Sequence, residues 1–358
     1  MADTDAGYRL FVGIDIAADT FTAAWRVAGG EVFPPDTGEQ TPAGRAGLQQ
    51  RLRATGLAPA ATLVVLEATG PYWVALALGL HEAGYRVAVV NPRQAHHFAK
   101  AQLRRAKTEA LDARDRTHLA ATRQPTPWTP PPTVYHDVRQ RLVARDALLA
   151  MRTQARNQRH ALLPWPIVVE AVRRHRDELI ADLDRRVACL DAAIAAVLKE
   201  RVWAESLACL TSAPGIGLVT AAWLLVSTLN FTTSPEPTAL TAYAGLAPMP
   251  YESGRSVRGR PRIGHDGNGR LRTALYMATL SAARYNPAIR AFYQRLRAAG
   301  KPVKVARCAA ARKLLHQAWA LGSKLQRFDP DHQQQQHEAL PARAGGLTDQ
   351  YRICLIAR

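Results

Sequence analysis

Cysteine, aromatic residues, acids and long apolar runs are all scarce in this chain of 358 residues. The four cysteines, Cys189, Cys209, Cys308 and Cys354, are scattered, with no CxxC pair and no clustered histidines. That excludes a zinc-ligand set and a disulfide framework and leaves buried thiols as the expectation. The longest apolar stretches, Tyr72 to Leu80 and Val219 to Val226, fall short of the ~18 residues a membrane span requires. No basic amphipathic helix with an aromatic face offers a surface-bound alternative. The N-terminus, MADTDAGYRL, lacks a basic segment leading into an apolar one, so no secretory signal is expected and a cytoplasmic location is. Acids are outnumbered, 29 Asp and Glu against 47 Lys and Arg, for a formal charge of +18. Such an excess on a chain with no membrane segment points to a nucleic-acid partner. Heavy use of Ala and Arg also fits a GC-rich coding sequence, which discounts part of that charge.

The length favours two or three domains. Leu10 to Ala17 (LFVGIDIA) reads as a buried strand, Thr20 to Val27 as its hairpin partner and Glu31 to Phe33 as a short third strand. Asp15 therefore sits inside an apolar strand. A buried carboxylate is costly unless it is paired or binds a metal. Ala43 to Ala54 is expected to be helical, Thr62 to Leu66 to be another buried strand ending at Glu67, Tyr72 to Gly84 a helix and Arg86 to Asn91 a strand. Pro92 opens a further helix by its first-turn preference. This β-β-(β)-α-β-α-β-α order is that of ribonuclease H-like folds, in which acids from the first and fourth strands and from a late helix converge on divalent metals. A late helix is present, Lys107 to Ala120, with Glu109 and Asp112 three apart on one face and Asp115 on a slightly rotated one. Oxygen-rich acid clusters suit Mg²⁺. Each acid taken singly also fits a solvated helix face or strand end.

Pro125 to Thr133 (PTPWTPPPT) is a stiff, extended linker marking a domain boundary. Beyond it, Ile180, Leu183, Val187, Leu190, Ile194 and Val197 alternate steps of three and four, the seam of a coiled coil. The partner arm of a helical hairpin is expected over Val134 to Leu163, broken by Pro164-Trp165-Pro166. On that arm Arg141, Arg145, Arg152, Arg156 and Arg159 form a stripe beside Leu148, Met151, Ala155 and Leu162. The stripe could grip a nucleic-acid backbone or be a solvated basic face.

In Leu210 to Leu225 the run Pro214-Gly215-Ile216-Gly217 lies between helical segments, the pattern of a helix-hairpin-helix whose turn offers backbone N–H groups to a phosphate. Ala242 to Arg272 carries most of the chemistry. There Ser253, a candidate nucleophile, is followed by Gly254 and then by Arg255, Arg258, Arg260, Arg262, Arg270 and Arg272 among closely spaced glycines. Glycine lets a backbone approach a ligand and guanidinium forks bind phosphate oxygens, so a loop that cradles a polyanion is expected. An ordinary solvated turn is the alternative, and Ser256 is the reserve nucleophile. Helices are expected over Leu271 to Arg284, over Pro287 to Ala299 and from Pro302 on. A polar, poorly ordered tail is expected from Gln326.

With these motifs in order, the sequence resembles the IS110 family of transposases. The likeness spans nearly all of residues 8–325 and rests on GIDIA with Asp15, LEATGPYW with Glu67, KTEALDA with Glu109 and Asp112, LTSAPGIGLVTA, AYAGLAPMPYESG with Ser253, GNGRLR, ARYNPAIRAFYQRLRAAGKPVKVA and ARKLL. The resemblance implies a RuvC-like domain at 8–123 whose Asp15, Glu67, Glu109 and Asp112 bind Mg²⁺, then a linker at 124–133 and a helical hairpin at 134–203. A C-terminal transposase domain would follow at 204–325, with Ser253 forming a phosphoserine link to DNA, and a tail at 326–358. It further implies a structured bridge RNA that pairs with donor and target DNA, and a dimer or tetramer whose subunits share an active site. The chain departs from the family pattern at Glu109, where Asp is usual, at Ala18, where Lys is common, and at Ile263-Gly264-His265, where Ile-Ser/Thr-Lys is usual. A RuvC-like nuclease or Holliday-junction resolvase would use the same acids without a covalent intermediate and would leave the C-terminal domain unexplained. A non-enzymatic nucleic-acid binder would not need an acid inside a strand.

Overall fold

The structure is a computed structural model and describes residues 7–102, 108–200, 202–253, 257–264 and 266–331. Its chain divides into two compact units that meet in sequence at Pro130–Pro131.

In the first unit Leu10–Ile16 (β1) and Thr20–Val27 (β2) pair antiparallel, with Asp15 opposite Thr22. Asp36–Glu39 (β3) adds to β2. The short strand expected at Glu31 to Phe33 is reduced to one bridge between Val32 and Arg26, because Pro34 and Pro35 follow at once and have no N–H to donate to a ladder. Pro42–Ala54 (α1) precedes Thr62–Glu67 (β4), and Trp73–Glu82 (α2) precedes Arg86–Val90 (β5). Pro92–Ala101 (α3) and Glu109–Arg123 (α4) complete the unit. β4 runs parallel to β1 and β5 parallel to β4, giving the order β3-β2-β1-β4-β5 of a ribonuclease H-like sheet.

Alternation along β1 sends Leu10, Val12 and Ile14 to the face packed against Leu48 and Leu52 of α1 and Leu76 and Leu80 of α2. Phe11 faces the other way, with Leu63, Val65 and Val90, against Phe98 of α3 and Leu119 of α4. β1 is thus covered on both faces, which explains its near-continuous apolar run. The linker is not free at its start: Trp128 donates its backbone N–H to the Val87 carbonyl at 2.6 Å and packs edge-on against Trp73 at 5.3 Å.

In the second unit Thr133–His160 (α5) and Glu170–Glu200 (α6) form the helical hairpin. Ile180, Leu183, Val187 and Ile194 are buried as the heptad seam requires, with Leu190 and Val197 half-buried. On the first arm Ala155 is buried but Met151 is 55% exposed. At the base, Val134, Val138, Leu142, Ile194 and Leu198 join one core with Ala204–Thr211 (α7), Leu218–Thr228 (α8) and Pro237–Tyr243 (α9). Gly269–Tyr285 (α10), Pro287–Ala298 (α11) and Val303–Lys324 (α12) share the same core. Between α9 and α10, Pro248–Ser253 (β6) and Val257–Ile263 (β7) form an antiparallel hairpin in place of the expected loop.

The start of the expected tail is packed, with the Phe328 N–H donating to Ser212 Oγ at 2.8 Å, and residues 332–358 lie outside the described residues. Of the cysteines expected to be buried, Cys209 is, Cys308 is half-buried and Cys189 is exposed. Cys354 lies outside the described residues. Among the described residues no helix is long and apolar enough to cross a membrane.

Candidate active site

The acids of the first unit are gathered by α4. Thr108 caps that helix, its side chain accepting from the Leu111 N–H at 3.2 Å. Such a cap stabilises by about 1 kcal/mol. Glu109 and Asp112 fall in the first turn, where the helix dipole favours negative charge. Steps of three and four along the helix put Glu109, Asp112, Ala113, Arg116 and Thr117 on one stripe, and that stripe lies on β1. The approach is close because of Gly13, where a β-carbon would collide with Thr117 N and Ala113 O and sit 2.6 Å from the Arg116 carbonyl carbon. Thr117 locks the contact by donating to the Ala24 carbonyl at 2.8 Å.

Two residues beyond Gly13 on the same face, Asp15 meets the start of α4. Its Oδ1 lies 3.1 Å from an Arg116 nitrogen that is also 2.6 Å from Glu67 Oε2. The Arg116 side chain is only 8% exposed, so one guanidinium is held between carboxylates from the ends of two neighbouring parallel strands. Glu67 also accepts from Thr69 at 2.7 Å. Burial holds the Asp15 carboxyl above the usual carboxylate range, Arg116 opposes this, and the nearby charges of Asp112 and Glu109 reinforce it. Glu109 Oε2 accepts from Thr22 Oγ1 at 3.3 Å, and Thr22, opposite Asp15 in the hairpin, contacts Thr37 at 3.1 Å. Asp115 is 6% exposed and is not among the groups that perturb Asp15.

Among the described residues no three His, Cys, Asp or Glu side chains are assembled closely enough to hold a metal ion. Instead a guanidinium compensates the acids, and its buried Nε finds no hydrogen-bond partner. The donor chemistry fits a divalent cation: all-oxygen, anionic, and already organised around a positive charge. Arg116 and Thr22 are the residues that motif reading missed. The signals were available, since Arg116 is four residues after Asp112 on the acid stripe and Thr22 faces Asp15 across a predictable hairpin.

In the second unit Ser253 is the last residue of β6, paired with Val257. Gly254, Arg255 and the reserve candidate Ser256 lie outside the described residues, as does His265. Arg258, Arg260 and Arg262 occupy alternate positions of β7, with Glu252 opposite Arg258 and Met249 opposite Arg262. Arg270 is exposed and lies over the Trp223 ring at 5.4 Å. Arg272 differs from expectation, for its guanidinium donates to the Asp266 carbonyl at 3.0 Å and the Ala244 carbonyl at 3.4 Å, tying the start of α10 to the end of α9. Asn268 completes the tie. Its Oδ1 caps α10 by accepting from the Leu271 N–H at 3.1 Å, and its Nδ2 donates to Tyr243 Oη at 3.1 Å.

Two further expectations change. Gly215 (φ +104) is required by packing, because a β-carbon there would press on Ala282 of α10 at 2.5 Å, while Gly217 is exposed at the N-cap of α8 with open space around it. The stripe of arginines on α5 does not offer free charge. Arg145 pairs with Asp191 at 2.5 Å, Arg152 and Arg156 with Asp184 at 2.5 and 3.2 Å, and Arg159 with Asp177 at 2.9 Å. Asp177, Asp184 and Asp191 recur every seven residues beside the seam of α6, the flanking-charge pattern of a coiled coil. Arg141 pairs with Asp137 on its own helix.

A family model named for the DEDD domain of IS110 transposases, described as "Transposase", matches residues 12–165. A second, described as "Transposase IS116/IS110/IS902 family", matches residues 207–294. An acid-bearing ribonuclease H-like domain followed by a helical second domain, matched in this way, defines a DNA transposase or recombinase. The pilin gene-inverting protein of Moraxella lacunata is 29% identical over 326 residues, covering 90% of this chain and 98% of that protein. An insertion element IS110 protein of Streptomyces coelicolor is 43% identical over 94 residues, 26% of this chain and 22% of that protein. An insertion element IS900 protein of Mycobacterium paratuberculosis is 32% identical over 178 residues, 49% of this chain and 43% of that protein. The chain belongs to the IS110 family of transposases.

Proposed function

We propose that this transposase cuts and rejoins DNA through a serine–DNA link, with Ser253 as nucleophile and Asp15, Glu67, Glu109 and Asp112 as the carboxylates that hold Mg²⁺. The observation that carries the reading is the convergence of Asp15 of β1 and Glu67 of β4 on the Arg116 guanidinium, with Glu109 and Asp112 from the first turn of α4 near enough for their charges to act on the Asp15 carboxyl. When bound, Mg²⁺ would supply charge neutralisation at the phosphate and lower the pKa of a coordinated oxygen. Ser253 Oγ would attack phosphorus, forming an O–P bond as the bond to the neighbouring deoxyribose oxygen breaks. The serine proton leaves, the departing oxygen takes one up, and a free hydroxyl remains. Attack by a hydroxyl from another strand reverses these changes and restores a phosphodiester without net hydrolysis. Arg258, Arg260 and Arg262 on β7, together with Arg255 and Arg270, would bind the strand through its phosphates, with Gly217 at the α8 N-terminus as a further phosphate contact. Arg272, by tying α9 to α10, and Gly215, by letting the turn before α8 pack on α10, would serve that surface by fixing the helices that carry it. A structured bridge RNA would read donor and target sequence by pairing, because the chain's cations suit backbones better than base edges. A dimer or tetramer, assisted by the α5–α6 hairpin, would bring acids and serine together. Reactions on cognate DNA stopped with denaturant should yield a protein–DNA adduct that Ser253→Ala and chelation of divalent cations each abolish. Cleavage with no adduct would refute the serine and leave a nuclease.

A further inference from the structure

The paired arginines of α5 contrast with the cations of α11 and α12. Not one Asp or Glu falls between Asp266 and Asp329, while Lys and Arg recur throughout. Their side chains line a cleft of about 1830 Å³ within the second unit, bounded by α11, α12, the end of β7 and residues 326–330. Seven Lys and Arg side chains border it against one acid, Asp329. Arg295, Lys304, Arg312 and Lys313 are among the seven, and none of these four is in an ion pair with a described carboxylate. Like charges are crowded there: burial, and then the neighbouring Arg295, hold the Lys313 ammonium below the usual lysine range. The cleft is not simply basic, because Ile289, Phe292, Val305 and Ala309 also line it. Arg295 and Lys313 lie over the Phe292 ring at 5.3 and 5.1 Å.

We infer that this cleft holds a single strand of DNA, its phosphates on the cations and unpaired bases against the apolar wall around Phe292. A duplex would present phosphates, sugars and base edges to such a wall, the π-faces of its bases being stacked inside. A single strand offers π-faces that stack on aromatic and guanidinium planes. Charge so far in excess of the acid beside it calls for a polyanion from outside, and strand exchange on DNA generates unpaired strands. The inference rests on the nucleic-acid reading of the chain but not on Ser253.

The test measures anisotropy of labelled single-stranded DNA, duplex DNA and single-stranded RNA of the same sequence, titrated with the full-length chain without divalent cations across a salt series. Ser253→Ala is run in parallel, so a failed nucleophile assignment leaves the binding result readable. Replacing Lys304, Arg312 and Lys313 together with Ala is expected to weaken single-strand binding at least tenfold. It should also flatten the dependence of log K on log salt by about 2, because each phosphate no longer neutralised lowers that slope by roughly 0.7. A pair of charge reversals at exposed positions, Arg295→Glu with Lys304→Glu, should also weaken single-strand binding at least tenfold and flatten the slope by about 1.4, without touching the core. Arg145→Ala with Arg152→Ala removes similar charge from already paired positions and should change neither quantity. Unchanged single-strand binding in both cleft variants would overturn the inference. So would an equal loss for duplex, or a preference for RNA that depends on the cleft.

Discussion

Gly13→Ala probes the contact on which the acid cluster depends. An added methyl would sit 2.6 Å from the Arg116 carbonyl carbon and closer still to Thr117 N and Ala113 O. Ordinary non-bonded contacts lie at about 3.5–4.0 Å, and all three obstacles are backbone atoms that no rotamer change can move. α4 must therefore withdraw from β1 by roughly 1 Å. Overpacking of this kind costs about 1–3 kcal/mol. Loss of glycine's unfolded-state freedom returns roughly 0.5–1 kcal/mol, so a net loss of about 1–2 kcal/mol is expected. The same withdrawal carries Glu109, Asp112 and Arg116 away from Asp15, and a misplacement of ~1 Å at a reacting centre costs on the order of a hundredfold in rate. Urea unfolding and cleavage of cognate DNA should show both effects in one variant. Gly79→Ala on α2, where a β-carbon meets nothing within 4 Å, is the control and should be neutral or stabilising. A Gly13→Ala protein with unchanged stability and cleavage would refute the claim that this close approach positions the acids.

Arg116→Gln removes the charge between Asp15 and Glu67. Those carboxylates are 19% and 18% exposed, so the cost is about 2–3 kcal/mol, below the ~3–5 of a fully buried broken pair. A divalent cation that binds only the folded state should recover part of this loss; melting that is identical in Mg²⁺ and in chelator would count against the acids as a cation site. Glu109→Gln should abolish cleavage with little effect on melting, whereas Asp115→Asn, at a buried position, should lower the melting temperature and leave cleavage by the folded fraction within a few-fold. The reverse pattern would move the helix ligands to Asp112 and Asp115. Asp146 offers a pH test, because burial raises its carboxyl above the usual range against the pull of Arg270 and Arg145. The native state thus binds the proton more tightly than the unfolded chain, so stability falls as pH rises from the unfolded pKa through the folded one. Asp146→Asn should therefore raise the urea midpoint at pH 7, with the gain shrinking toward acid pH. A gain that is constant with pH would show that ionisation of Asp146 is not the cause.

Much of the first unit could be read from the chain alone. Asp15 inside LFVGIDIA and Glu67 at the end of TLVVLE stood out because apolar strands seldom contain carboxylates, and the order of strands and helices follows from local periodicity. The heptad seam of α6 was legible for the same reason, as Ile180, Leu183 and Val187 bury against whichever arm lies opposite. Ser253 was flagged by its setting, but its strand was not: β6 and β7 are short and interrupted by Pro248, Pro250 and Pro261, so no apolar alternation marked them as a hairpin. What tertiary structure alone decided was the meaning of the charges. Arg145, Arg152, Arg156 and Arg159 look like Arg295, Lys304 and Arg312 when read as spacing on a helix. The first set meets Asp177, Asp184 and Asp191 on the other arm of the hairpin, and the second pairs with no described acid. Arg116 likewise becomes the centre of the acid cluster only because Gly13 lets α4 rest on β1. Periodicity reports which face a residue occupies, a local property of the backbone. The energy of a charge depends on what stands within a few ångströms of it, and folding brings those partners from distant parts of the sequence.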